Sequence, residues 1–328
     1  MPKRKILITG GAGFIGFHLA RKLSQEKGTK LILVDNFSRG KSDREFQELL
    51  RLRNVSVLSG DLTDPRTFKK LGRGYDEVYH LAALLGVQRV VRSPHEVLRI
   101  NAISTLHLLD WFVKGGGKKL LFSSTSEAYA WTQHFHKLPI PTPEDVPLAL
   151  TDLYEPRSTY AASKVYGEIS VIQYCRQFNK PFVITRYHNV YGPRMGYEHV
   201  VPQLIERALQ RPRTFPVFSA SHRRAFCYVS DAVETTFRAM RQSRGNGLIF
   251  NVGNDDEEIT IGSLARKVLQ KLAVKSKLAP KTNHHDPIAR RCPDIRRARK
   301  ILKYKPEVTL DEGLDRTIAW YLVHPRPA

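Results

Sequence analysis

The run Gly10-Gly11-Ala12-Gly13-Phe14-Ile15-Gly16 constrains the fold of this chain more than any other segment. It follows an apolar stretch, Lys5-Ile6-Leu7-Ile8-Thr9, that reads as a buried strand. It precedes a segment with Ile15, Leu19 and Leu23 at helical spacing. Strand, glycine turn and helix in that order make a dinucleotide-binding fingerprint. Glycines let the backbone turn sharply and approach a pyrophosphate, and the helix N-terminus offers it unpaired N–H groups. The glycines fit two registers, G-x-G-x-x-G from Gly11 and G-x-x-G-x-x-G from Gly10.

Flexible surface loops also carry glycines, so the context decides. A second apolar run, Leu31-Ile32-Leu33-Val34, ends in Asp35, where an acid can accept hydrogen bonds from the adenosine ribose hydroxyls. An acid there repels a 2′-phosphate, so NAD is the expected cofactor rather than NADP. Ser38, Arg39 and Lys41 follow closely and soften that preference.

Strand and helix signals alternate through the first half of the chain. Val55–Leu58, Glu77–Leu81, Lys119–Ser123 and Pro181–Thr185 read as further strands, with helices around 95–113 and 158–178 between them. This alternation predicts an α/β fold, a Rossmann-type doubly wound parallel sheet, with ligands at the carboxyl ends of its strands. Beyond residue 190 the pattern is irregular, apart from a helix around 200–210 and a core strand in Gly247–Gly253. The expected division is a dinucleotide-binding domain over 1–190, with a return strand within about 226–253. A smaller C-terminal α/β domain takes 191–225 and 254–328.

No apolar run is long enough for a membrane span, and no membrane partner is expected. The start Met1-Pro2-Lys3-Arg4-Lys5 faintly resembles a secretion signal, but the glycine turn sits where its apolar core belongs. Cys175, Cys227 and Cys292 have no metal-like spacing, so a reducing cytoplasm and no metal site are expected. The net charge of +22 favours anionic partners. Much of it clusters at Arg290, Arg291, Arg296, Arg297, Arg299, Lys300, Lys303 and Lys305, read as a solvated face beside an anionic pocket. No nucleic-acid-binding motif accompanies it.

Tyr160 and Lys164 lie four apart, on one face of a helix. A cation beside a phenol favours phenolate, so Lys164 is expected to lower the Tyr160 pKa from about 10 toward neutrality. Such a phenolate can take the proton of a sugar hydroxyl as hydride leaves its carbon.

With that pair the chain resembles the extended short-chain dehydrogenase/reductase family, in its group of nucleotide-sugar epimerases, dehydratases and decarboxylases. The resemblance runs through Gly10–Gly16, Asp35-Asn36-Phe37, Asp61-Leu62, His80-Leu81-Ala82-Ala83, Asn101 and Ser123-Ser124-Thr125-Ser126-Glu127. It continues through Tyr160–Lys164, Arg186–Arg194, Arg223–Phe226, Arg291–Asp294 and Leu310–Leu314, nearly the whole chain. It implies that Gly10, Gly13, Phe14, Ile15, Gly16, Asp35, Asn36, Ser38, Asp61, Leu62, Leu81, Ala82, Ala83, Asn101, Ser123 and Tyr187 surround NAD. Lys164 would hold the nicotinamide ribose and Tyr160 would be the base. Thr125 would bind the hydroxyl being oxidised. Ser126, Asn189, Arg194, Arg224 and Arg291 would bind the rest of a nucleotide-sugar, with UDP favoured.

The resemblance also implies transient oxidation at sugar C4. Glu127, in a Thr-Ser-Glu triplet, resembles the lyases of this group, because a carboxyl there can act as acid or base near C5. The expected activity is therefore a lyase of UDP-glucuronate decarboxylase or 4,6-dehydratase type. A 4-epimerase is the alternative, and a catalytically silent NAD- or RNA-binding regulator a distant one. Ala128, Ala130 and His188 depart from the usual pattern. The helices around 95–113 and 158–178 carry more apolar residues than one sheet face can bury, and the resemblance pairs them in a homodimer.

Overall fold

Parallel strands must be covered on both faces, and the apolar runs of the first half meet that demand. The structure, a computed structural model, describes residues 4–135, 138–150, 153–282 and 288–326; Met1, Pro2 and Lys3 lie outside them. In chain order the strands are β1 (Arg4–Thr9), β2 (Thr29–Asp35), β3 (Val55–Ser59), β4 (Tyr75–His80), β5 (Gly117–Thr125), β6 (Phe182–Tyr187), β7 (Val190–Tyr191), β8 (Thr214–Phe218), β9 (Arg223–Ala225), β10 (Cys227–Tyr228), β11 (Ile249–Val252), β12 (Glu258–Thr260), β13 (Lys277–Lys281) and β14 (Arg290–Arg291). The helices are α1 (Phe14–Ser24), α2 (Arg44–Leu50), α3 (Pro65–Leu71), α4 (Val87–Arg92), α5 (Pro94–Trp111), α6 (Glu127–Phe135), α7 (Ser158–Gln177), α8 (Val200–Leu209), α9 (Val229–Arg241), α10 (Ile261–Lys271), α11 (Arg296–Leu302) and α12 (Leu310–Val323).

Two compact units result. The first takes residues up to Ala128, Leu150–Arg186 and Val233–Phe250, and the second takes Tyr129–Ala149, Tyr187–Ala232 and the chain from Asn251. The large sheet runs in the order β11-β6-β5-β4-β1-β2-β3, with β1 parallel to both β2 and β4. Strand order reverses at β1, which opens the crevice where such sheets bind ligands. Leu7, Val78, Leu120 and Ile184 pack on one face against Phe68, Leu108, Trp111 and Val171 of the covering helices. Ile6 and Ile8, which point the other way along β1, are also fully buried.

The sequence reading assigns 129–149 to the first domain, but packing gathers this segment into the second unit. Asn251 is the reason. Its backbone N–H donates to Glu144 at 2.9 Å, and its side-chain amide donates to the carbonyls of Thr142 and Asp294 at 2.9 and 3.0 Å. The second unit is otherwise built of small sheets: β12-β9-β14, β13-β8 and β10-β7.

The three cysteines are buried free thiols. Among the described residues no helix is long and apolar enough to cross a membrane, and no group of His, Cys, Asp and Glu could hold a metal ion.

Candidate active site

The glycine turn after β1 is compact enough to exclude side chains. Gly10 adopts a φ of +72°, and a Cβ there would lie 2.8 Å from the Ala82 nitrogen. A Cβ on Gly16 would lie 2.1 Å from the Gly10 carbonyl oxygen, so the first turn of α1 can rest on the loop only through glycine. No side chain caps α1, whose N-cap is Gly13, and its first N–H groups are left for an anion. Asp35 ends β2 beside this turn. Its carboxylate accepts from Ala12 N–H at 3.0 Å and Phe37 N–H at 2.8 Å. Burial raises the Asp35 pKa above the usual carboxylate range, and these N–H groups oppose it. Glycine cradle, uncapped helix and carboxylate fit a pyrophosphate and an adenosine ribose, which are the parts of NAD.

The loop after β4 is fixed from two sides. Leu81 N–H donates to the Thr9 carbonyl at 3.2 Å, and Ala82 N–H to the Thr9 hydroxyl at 3.3 Å. Asn101 grips Leu84 through both its N–H and its carbonyl, at 2.7 and 3.0 Å, and donates to Ser163 at 3.0 Å. The buried Asn101 amide thus holds the loop and α7 in place. Asn36, Ser38 and Asp61 are exposed. Asn36 accepts from Ser38 N–H, and Asp61 from Thr63.

Thr125, Glu127, Tyr160 and Lys164 all lie in the first unit. Thr125 ends β5, its hydroxyl accepts from Glu127 N–H at 3.2 Å, and it hydrogen-bonds with the Tyr160 hydroxyl. The Tyr160 ring packs on Leu84, Val90 and Val97. The sequence expectation for its acidity is reversed. Burial, and then the nearby Glu127 charge, raise the Tyr160 pKa well above its ordinary value. Lys164 does not offset this because its ammonium is turned to Ser123. It donates to the Ser123 carbonyl at 2.7 Å and lies 4.9 Å from the Phe122 ring centre. Burial lowers the Lys164 pKa to about 7, with Glu168 acting in the opposite sense.

The second unit holds the remaining residues expected to meet substrate. Asn189 donates to the Ala225 carbonyl at 3.2 Å. Arg194 is buried in a left-handed turn, with φ 63°. Arg224 and Arg291 stand opposite each other in the pairing of β9 with β14. Two like charges in register are unfavourable unless neighbours or an anion offset them. Arg224 donates to the carbonyls of Arg223 and Ile288, both at 2.8 Å, so part of its guanidinium is already engaged. Tyr187 ends β6 and falls in this unit.

The model of the NAD dependent epimerase/dehydratase family matches residues 6–253. The chain belongs to this family. The enzyme is 35% identical to the UDP-N-acetyl-alpha-D-glucosaminuronate decarboxylase of Bacillus cytotoxicus, over 97% of this chain and 98% of the relative. Its fold superposes with a TM-score of 0.84 on the UDP-glucose 4-epimerase of Thermotoga maritima, at 30% identity, covering 98% of this chain and 100% of that one. It superposes with a TM-score of 0.86 on a dTDP-glucose 4,6-dehydratase of Streptomyces venezuelae solved with NAD bound, at 26% identity and 97% coverage of both chains.

Sequence reasoning passed over a buried network beside Lys164. Glu168, one turn beyond Lys164 on α7, accepts from the Ser124 hydroxyl at 2.5 Å. Arg186 of β6 clasps the same carboxylate at 2.8 and 2.6 Å. The available signal was a carboxylate four residues past Lys164, on the same helix face. His188, which departs from the family pattern, is buried in the second unit. It stacks near Tyr129 and shares the Asn251 side-chain carbonyl with it. In the basic segment at 290–305, Arg290, Arg296, Lys300, Lys303 and Lys305 are exposed, as a solvated face requires, and ion pairs join Arg290 to Glu258, Arg296 to Asp294, Arg297 to Glu144 and Arg299 to Asp255.

Proposed function

We propose that the enzyme decarboxylates a UDP-linked hexuronate after transient oxidation of the sugar at C4. The observation that carries this reading is the Glu127 carboxylate, close enough to Tyr160 to raise its pKa and tied through its backbone to Thr125. The likeness of the chain to a nucleotide-sugar decarboxylase over nearly its whole length supports a role for this carboxyl near C5. When bound, NAD supplies a pyridinium cation that favours the Tyr160 phenolate and a carbon that takes the C4 hydride and gives it back. Thr125 orients the C4 hydroxyl and Tyr160 takes its proton. With C4 a carbonyl, the bond from C5 to its carboxylate breaks and carbon dioxide leaves. The electron pair passes to the C4 oxygen, where the Tyr160 O–H stabilises it. Glu127 then relays a solvent proton to C5. Lys164 and Ser123 hold the nicotinamide side of the site. Ser126, Asn189, Arg194, Arg224 and Arg291 serve the diphosphate and nucleoside.

A UDP-hexose 4-epimerase is the second reading, favoured by the fold shared with the solved Thermotoga maritima epimerase. Incubation with a panel of nucleotide sugars and mass analysis separates the two. Loss of carbon dioxide from a UDP-hexuronate supports the decarboxylase, and an unchanged mass with altered C4 configuration supports the epimerase. Glu127→Gln sharpens the test. In a decarboxylase it should trap NADH and a 4-keto sugar, and in an epimerase it should only slow turnover.

We also infer a homodimer through α5 and α7. These helices pack together, yet leave Leu98, Tyr166 and Ile169 exposed. A second copy of the same faces is the partner that matches them.

A further inference from the structure

Half of the eight cations named at 290–305 are in ion pairs, and a separate group of cations lies along the first unit's large sheet. Lys27 and Lys30 lead into and begin β2, Arg51 and Arg53 lead into β3, Arg73 into β4 and Lys114 into β5. All six are exposed, and among the described residues none has an ion-pair partner. Carboxylates on that edge are already taken: Glu26 and Glu77 by Arg4 and Arg241, and Asp76 by Lys118. Strands β3, β2, β1, β4 and β5 are consecutive neighbours, so these cations spread across an edge about 20 Å wide.

Helix C-termini point toward this edge and favour a cation in the last turn. That accounts for Lys69 and Lys70 at the end of α3. It does not account for Lys27, Lys30, Arg53 and Arg73, which lie beyond the helices. Two apolar side chains protrude among the cations. Leu52, 43% exposed, stands between Arg51 and Arg53, and Phe178, 50% exposed, stands between Arg176 and Lys180 in the loop before β6.

We propose that this edge docks the protein on the surface of a bilayer containing anionic lipids, with Leu52 and Phe178 as shallow anchors. Cations at headgroup level with apolar tips just below them match the chemistry of that interface. Nucleic acid fits less well, because the cations follow an edge rather than a groove. The glycine cradle and Tyr160 lie toward the opposite ends of the strands, so docking leaves the cofactor crevice of the first unit clear. This peripheral contact needs no spanning helix, although the sequence alone gave no expectation of a membrane partner.

Vesicle flotation of the full chain tests the proposal. The protein should bind phosphatidylcholine vesicles containing about a third phosphatidylserine and ignore pure phosphatidylcholine. Binding should fall steeply between about 50 and 500 mM salt. The triple variant Arg51→Glu/Arg53→Glu/Arg73→Glu should bind at least about a hundredfold more weakly, at roughly fivefold for each cation lost and more for each negative charge added. Leu52→Ser/Phe178→Ser should weaken binding several-fold at unchanged charge. Unchanged thermal unfolding and NAD content establish that each variant is folded, and Arg51→Gln/Arg53→Gln/Arg73→Gln replaces the reversal if it is not. Equal binding to neutral vesicles, no binding at low salt, or no effect of the charge variants would overturn the proposal. So would stronger binding to an RNA homopolymer that is insensitive to Leu52→Ser/Phe178→Ser.

Discussion

The Lys164 ammonium donates to the Ser123 carbonyl at 2.7 Å, and so anchors the helix of the catalytic pair to the strand that carries Thr125. Its pKa is lowered to about 7 by burial, against an unfolded value near 10.5. Between those limits the unfolded chain holds the extra proton, so stability rises with pH in that window, and the penalty is full below it. Lys164→Met lacks this titration. Urea unfolding of the NAD-free proteins should therefore show the variant losing ground to the parent as pH rises from about 7 toward 10. A difference that does not change with pH would contradict the buried-ammonium assignment.

Glu168→Gln should destabilise the protein by about 3 kcal/mol or more, because it leaves the Arg186 guanidinium buried without a counter-charge. Glu168→Gln/Arg186→Met should recover part of that loss, since no uncompensated charge remains. Chemical denaturation of both variants, and of Arg186→Met alone, gives the comparison. A double-variant loss equal to the sum of those of Glu168→Gln and Arg186→Met alone would mean that the two side chains act independently.

Tyr160→Phe should reduce turnover at least a hundredfold while the protein still purifies with NAD. The ring keeps its packing on Leu84, Val90 and Val97, and only the proton acceptor is gone. Release of NAD on denaturation checks occupancy. A variant retaining more than about a hundredth of the rate would place the base elsewhere.

Leu98→Glu/Ile169→Glu should shift sedimentation from dimer to monomer, weakening association about thirtyfold or more if these side chains sit at the centre of the interface. Both are exposed in the chain, so their replacement should leave the fold intact. A parent protein that sediments only as monomer at micromolar concentration would remove the dimer.

The sequence by itself determined the dinucleotide fold and the spacing of Tyr160 and Lys164 on one helix face. Gly10 and Gly16 occupy positions no other residue can fill, and alternating apolar runs leave a parallel sheet little choice of arrangement. Tyr160 and Lys164 were legible because four residues make one helical turn. Local spacing could not give the direction in which each group is perturbed. Proximity along α7 suggested that Lys164 serves Tyr160, but packing turned the ammonium to Ser123 and set the Glu127 charge near the phenol. The hydrogen bonds of the Asn101 amide to Leu84 and Ser163 were likewise hidden until the fold brought those residues together. Charge shows the same division. The sequence counts 53 basic and 31 acidic residues, yet only the tertiary structure pairs Arg299 with Asp255 across 44 positions and leaves Arg53 and Arg73 unpaired on another face. Backbone conformation is set largely by neighbours in the chain. The burial and pairing of a charge depend on residues far away in it, and so on the completed fold.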